Sequence, residues 1–198
     1  LNIPKDRFLL TSIFGGSIEE FVTVAKIMAP VSDGLELNLS CPHAKGYGMA
    51  MGQDPDLVRQ ITAAVKAVVD IPVIPKLTPN TPDIAKIAKA AIAGGADGLC
   101  AINTAGPGYT SSHGYPVLSN GAGGMSGKGV LPIGLQCVRD IAAVTDCPII
   151  GCGGVSSAAD VRAYFDAGAA VVGVGSSLTG LTTDEVSAYF KALSNDLD

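Results

Sequence analysis

"PIIGCGGVSSAADVRAYFDAGAAVVGVGSSL", residues 148–178, holds two short apolar runs separated by a segment of helical period. "PIIGCG" (148–153) and "AVVGVG" (170–175) read as strands, and "SSAADVRAYFDAG" (156–168) reads as the helix that joins them. The same unit recurs upstream. "VVDIPVIPK" (68–76) echoes "VTDCPIIGC" (144–152), and "AGGADGL" (93–99) echoes "DAGAAVV" (166–172), both at an offset of roughly 75 residues.

Working outward from that stretch, six strand-then-helix units fill the chain. "FLLTSIF" (8–14) precedes "SIEEFVTVAKIMA" (17–29), and "GLELNL" (34–39) precedes "DPDLVRQITAAVKAVVD" (54–70), whose Asp54-Pro55 opening is a cap followed by a first-turn proline. "PVIPKL" (72–77) leads to "TPDIAKIAKAAIA" (81–93), with Thr81 and Pro82 as its capping pair. "GLCAIN" (98–103) is followed by a long Gly-rich loop and "VLPIGLQCVRDIAAVT" (130–145), and the last strand precedes "TTDEVSAYFKALSN" (182–195). Strands written as continuous Val, Ile and Leu predict a parallel sheet buried on both faces by helices. Repeated βα pairs favour a (β/α)8 barrel, the TIM barrel, with a doubly wound sheet as the competing reading of the pattern. A complete barrel needs eight strands and typically about 250 residues. Six of the eight units are recognisable in this chain of 198 residues, so the expectation is one domain over 1–198, N-terminally incomplete.

The totals exclude several partners. With 47% hydrophobic and 16% charged residues the chain is apolar, yet no run is long enough to cross a bilayer. A net charge of -5 and 13 scattered Lys and Arg residues offer no basic stripe, so neither nucleic acid nor a membrane surface is expected as a partner. Five cysteines, with no CxxC pair and no leader ahead of them, point to the reducing cytoplasm.

In a barrel, chemistry sits at the C-terminal ends of the strands. Those ends are polar here: Asn38, Ser40, Cys41 and His43 after the second strand, Lys76, Thr78 and Asn80 at the third, and Asn103 and Thr104 at the fourth. "GCGGV" (151–155) and "GVGSSL" (173–178) are glycine turns whose backbone N–H groups can cradle a phosphate. Each feature also has a plainer explanation. A lysine at a strand end is as often simply solvated, and a cysteine in an apolar strand is usually a small buried hydrophobe. That second reading is kept for Cys100, Cys137, Cys147 and Cys152. Cys41 differs, because it precedes a proline in a loop that also carries Gly46, Gly48 and Gly52. No metal site is expected, since His43 and Cys41 lack third and fourth ligands at a zinc-like spacing and His113 stands alone.

Four stretches, "ELNLSCPH...GQDPDLV", "PKLTPNTPDIAKIAKAAIAGGADGLCAINT", "GGMSGKGVLPI" and the opening segment, together resemble the FMN-dependent dihydroorotate dehydrogenases. The likeness runs in order from about Ser12 to Leu178. It is strongest to the soluble, cysteine-using class, particularly its archaeal and NAD-linked heteromeric members. The pyrimidine-reducing domain of dihydropyrimidine dehydrogenase is similar in the same stretches.

The resemblance implies a (β/α)8 barrel that holds FMN at its strand ends and oxidises dihydroorotate to orotate in pyrimidine biosynthesis. Cys41 would exchange a proton with C5 of the pyrimidine while hydride passes between C6 and the flavin. An unperturbed thiol pKa of about 8.5 leaves only a few per cent thiolate at neutral pH, so that role needs local activation. Lys76 would stabilise negative charge at the pyrimidine edge of the reduced flavin. Asn38, Asn103 and Thr104 would hydrogen-bond substrate or flavin, and Ser40 would set the cysteine loop. Gly127 would let the backbone approach the flavin, and Gly153, Gly154, Gly175 and Ser176 would hold its phosphate. The implied partners are a small pyrimidine and either further copies of the chain or an electron-transfer subunit.

Departures from the family pattern widen the substrate question. His43 replaces the asparagine used by most dihydroorotate-oxidising members; His occurs there in the dihydropyrimidine enzymes and in some archaeal proteins, which keeps uracil or thymine reduction as an alternative. Gly121, Leu131 and Gln136 stand where many relatives carry basic residues. With the first two strands missing, a third reading is an inactive truncated barrel that serves as a binding or assembly module.

Overall fold

The computed structural model describes residues 3–4, 6–39 and 51–197. Six parallel strands form its sheet: β1 (Leu10–Ile13), β2 (Gly34–Asn38), β3 (Val73–Leu77), β4 (Leu99–Ala101) and, beyond four short strands described below, β9 (Ile149–Cys152) and β10 (Val171–Gly173). Their spatial order is β1-β2-β3-β4-β9-β10. Strand order therefore follows chain order without a reversal, whereas a doubly wound sheet reverses where its two halves meet. The fold is a curled arc of a (β/α)8 barrel, with six βα units.

Helices α1 (Ile18–Met28), α2 (Pro55–Lys66), α3 (Ile84–Ala93), α4 (Leu131–Ala142), α5 (Ala158–Asp166) and α6 (Thr183–Asn195) alternate with the strands as expected. Local chemistry starts each of the capped ones. Asp54 accepts from the backbone N–H groups of Asp56 and Leu57 ahead of α2, with Pro55 in the first turn, and Ser157 and Thr182 form capping boxes with Asp160 and Glu185. The cap of α3 differs from the expected Thr81: Asp83 accepts from the Lys86 N–H, and Thr81 supports Asp83 by accepting from its backbone N–H. A carboxylate is the stronger acceptor for exposed helix N–H groups, which accounts for the later start.

The apolar core lies between sheet and helices. Leu35, Leu37, Val73, Leu77, Leu99 and Ile149 from the strands meet Val58, Ile61, Val65, Ile87, Val138, Ile141 and Tyr164 from the helices, all almost fully buried. Each such side chain contributes roughly 1.5–3 kcal/mol on leaving water. Successive helices pack on one another, α1 on α2, α2 on α3, α3 on α4 and α4 on α5, as a single outer layer.

Burial on both faces of the sheet does not hold throughout. In β3 and β9 buried and partly exposed residues alternate. The second face is the concave side of the arc, and it carries Ser12, Glu36, Asn38, Lys76, Cys100 and Cys152. Parallel register aligns them: Ser12 pairs with Glu36, Asn38 with Lys76, and Lys76 with Cys100. Between β4 and α4 the Gly-rich segment forms two small antiparallel ribbons in place of a plain loop. One joins β5 (Ala105–Tyr109) to β8 (Ala122–Met125), and the other joins β6 (Ser111–Ser112) to β7 (Tyr115–Pro116).

Candidate active site

A cavity of about 390 Å³ opens at the C-terminal ends of β3, β4, β9 and β10. Seven expected site residues line it: Lys76, Asn103, Thr104, Gly153, Gly154, Gly175 and Ser176. Asn38 is tied to this lining, its side-chain Oδ1 accepting from Asn103 Nδ2 at 2.9 Å. Gly127 is placed differently. It has φ +85° at the foot of a short 3-10 turn, and its carbonyl lies against Gly154, while Met125 and Ser126 supply the cavity wall there. Ser40, Cys41 and His43 lie outside the described residues. The chain is described up to Leu39 and again from Met51.

Lys76 reaches the cavity floor from β3. Its Nζ lies 3.5 Å from Glu36 Oε1, and the same oxygen accepts from Ser12 Oγ at 2.8 Å. The lysine side chain is 25% exposed and the glutamate 11%. Burial alone would lower the lysine pKa, but its polar neighbours, with the Glu36 carboxylate as the charged one, outweigh it and the net direction is upward. Contact with Cys152 and burial push the Cys100 thiol well up, which keeps that sulfur neutral. The carboxylate of Glu36 is therefore the charge in direct contact with the ammonium. Cys100 and Cys152, read from sequence as core thiols, line the cavity with their sulfurs 3.7 Å apart.

Asparagines fasten the fourth strand end. Asn103 Oδ1 accepts from the Thr104 N–H at 2.7 Å, and Asn80 donates to the Thr104 carbonyl while its Oδ1 accepts from Gly106 N–H. The loop after β3 is thus hydrogen-bonded to the loop after β4.

The two glycine turns are similarly joined. Ser177 Oγ donates to the Val155 carbonyl, and Tyr164 Oη donates to the Gly153 carbonyl at 2.8 Å. Gly154 has φ +76°, and a Cβ there would lie 2.8 Å from the Leu131 backbone, so the turn requires glycine. Asp160, 5% exposed, accepts from the backbone N–H and the hydroxyl of both Ser156 and Ser157 and pairs with Lys128. Burial alone would raise its pKa; Lys128 and the serine donors overrule it and hold the carboxyl well below the ordinary range. One carboxylate thereby ties the loop of Lys128 to the phosphate-type turn after β9.

Sequence reading missed Glu36, Ser12, Asp160, Lys128 and Tyr164. Glu36 had a signal, being the one charge within "GLELNL", and Asp160 had its capping box with Ser157. Tyr164 had none, because its position depends on the cleft left by Gly134 and Gly151. Among the described residues no three His, Cys, Asp or Glu side chains cluster to hold a metal ion, and no helix is long and apolar enough to cross a membrane.

The chain is similar to several known proteins. The dihydroorotate dehydrogenase catalytic subunit of the NAD(+) type B enzyme from Methanosarcina acetivorans is 52% identical over 172 residues, covering 86% of this chain and 55% of that protein. The protein of the same name from Pyrococcus horikoshii is 50% identical over 171 residues, covering 86% and 56%. The chain thus spans about half the length of the curated relatives it matches. DHODH from Eimeria tenella in complex with ferulenol superposes with a TM-score of 0.74 over 91% of this chain and 53% of that one, at 22% identity, which shows the shared fold. The profile of dihydroorotate dehydrogenase matches residues 4–193, and the chain belongs to the dihydroorotate dehydrogenase family.

Proposed function

We propose that this chain forms the FMN-binding, catalytic part of a dihydroorotate dehydrogenase that oxidises dihydroorotate to orotate in pyrimidine biosynthesis. The observation that carries the reading is the convergence of Lys76, Asn103 and both glycine turns on one cavity. FMN fits what lines that space: a fixed cation at one end, and at the other a turn that excludes any side chain larger than glycine at Gly154. When bound, FMN would take the hydride from C6 of the substrate.

The chain's own residues do the rest. Cys41 removes the C5 proton, with Ser40 setting its loop. Lys76 remains an ammonium and offsets the negative charge that arrives with the hydride. Asn38, Asn103, Thr104 and His43 orient the pyrimidine, while Gly153, Gly154, Gly175 and Ser176 receive the phosphate on backbone N–H groups and Gly127 shapes the loop beside them. The relatives are named catalytic subunits of an NAD(+) enzyme, which supports an electron-transfer subunit as partner; a homo-oligomer is the other assembly, and the cytoplasm the location, that the sequence suggests.

The test is anaerobic mixing of the full-length protein, loaded with FMN, with dihydroorotate. Flavin absorbance is expected to bleach, and Cys41→Ser is expected to slow bleaching by about 10²–10⁴-fold at neutral pH. A protein that holds FMN and does not bleach overturns the proposal. His43 favours a second reading, reduction of uracil or thymine, which predicts tighter binding of uracil than of orotate.

A further inference from the structure

The concave face of the sheet holds one carboxylate that the reaction above does not use. Glu36 lies two residues before Asn38 on β2, faces the cavity, and is buried. An ionised carboxylate that is so enclosed costs free energy unless it is paired and hydrogen-bonded. Glu36 meets both conditions through one oxygen, Oε1, which accepts from Ser12 Oγ at 2.8 Å and stands 3.5 Å from Lys76 Nζ.

Register explains why this contact is built in. Ser12 lies directly opposite Glu36 across the β1–β2 pair, and Lys76 lies diagonally across the β2–β3 pair, one row nearer the strand ends. Side chains of neighbouring strands in one row meet at close range, and long ones also reach diagonally. Three strands thus deliver a hydroxyl, a carboxylate and an ammonium in line, with the hydroxyl fixing the carboxylate from the side away from the lysine.

We infer that Glu36 is the positioning residue for Lys76: it holds the ammonium at the cavity floor and offsets part of its charge, so that it sets how strongly the site favours the reduced flavin. The inference rests on the flavin reading of the cavity. Three consequences follow from geometry and charge. Removing the carboxylate leaves Lys76 as an uncompensated cation and makes bound flavin easier to reduce. It also removes the partner that keeps the amine protonated, leaving Cys100 and Cys152 as the other titratable groups facing Lys76. Removing the Ser12 hydroxyl loosens the carboxylate and gives a smaller change in the same direction.

Two readouts separate this role from a structural one. First, with the full-length protein free of flavin, Lys76 acetylation by acetic anhydride is followed by peptide mass spectrometry across pH. Glu36→Gln is expected to make Lys76 several-fold more reactive at neutral pH, Glu36→Asp to restore part of the protection, and Ser12→Ala to show a smaller increase. Second, the midpoint potential of bound FMN is expected to rise in Glu36→Gln and to return toward the parent value in Glu36→Asp. Lys76 reactivity and flavin potential both unchanged in Glu36→Gln overturn the inference. If Glu36→Gln does not fold, Ser12→Ala carries the test by the same two measurements, and no change in either one overturns it equally. Failure of the parent protein to bind FMN defeats the flavin reading alone, because the acetylation pattern still decides whether Glu36 governs the Lys76 charge.

Discussion

Asp160 links two parts of the site that are far apart in sequence, the Lys128 loop and the Gly153–Gly154 turn. Its depressed carboxyl pKa gives a definite pH dependence. A carboxyl held lower in the folded state stabilises the fold at pH values above its unfolded pKa, about 4, and that contribution is lost as pH falls through the folded value. Asp160→Asn is expected to lose roughly 1–3 kcal/mol at pH 7, since donors arranged around an anion then face an amide. The difference from the parent is expected to shrink as pH is lowered below about 4. Urea unfolding of both proteins at several pH values checks this; a constant difference across pH contradicts it. The residue was legible in sequence only as a helix cap. Its pairing with Lys128 required knowing that residues 128 and 160 are neighbours.

The packing of α4, β9 and α5 around Tyr164 shows how elements depend on one another here. The ring is fully buried, and its hydroxyl must reach the Gly153 carbonyl. Gly134 on α4 and Gly151 on β9 leave the room: a methyl group at Gly134 would overlap the Tyr164 hydroxyl, and one at Gly151 would overlap its ring. Glycine inside a helix costs about 1 kcal/mol relative to alanine, so an alanine at 134 should improve the isolated helix. In the folded protein the reverse is expected. Gly134→Ala should destabilise by about 1–3 kcal/mol through overpacking, read as a lower urea midpoint at unchanged slope, and should weaken FMN retention because Gly153 is displaced. Equal or greater stability would show that Tyr164 can relocate. The helix and strand were both readable from periodicity. The reason for their glycines was not, because it is a steric fact about a third element.

The molecule as described is an arc whose outermost strands are β1 and β10. Apolar side chains accompany both edges: Phe8 and Phe14 flank β1 at 64% and 60% exposure, and Val171 on β10 is 54% exposed. Unpaired strand edges with apolar surface recruit other strands or chains. The 198-residue chain on its own is expected to self-associate, and sedimentation at several concentrations checks this; a monomer throughout contradicts it. The parallel βα order and the glycine turns could be read in advance, because each depends on local period, caps and turn residues. Lys76, Asn103 and Gly153 were also legible as strand-end residues. What had to wait for three dimensions was which polar groups share the concave face. The pairing of Glu36 with Lys76 and Ser12, the meeting of Cys100 with Cys152, and the tie between Lys128 and Asp160 are set by strand register and by chain segments brought together from at least 24 residues apart. Periodicity carries no information at that range.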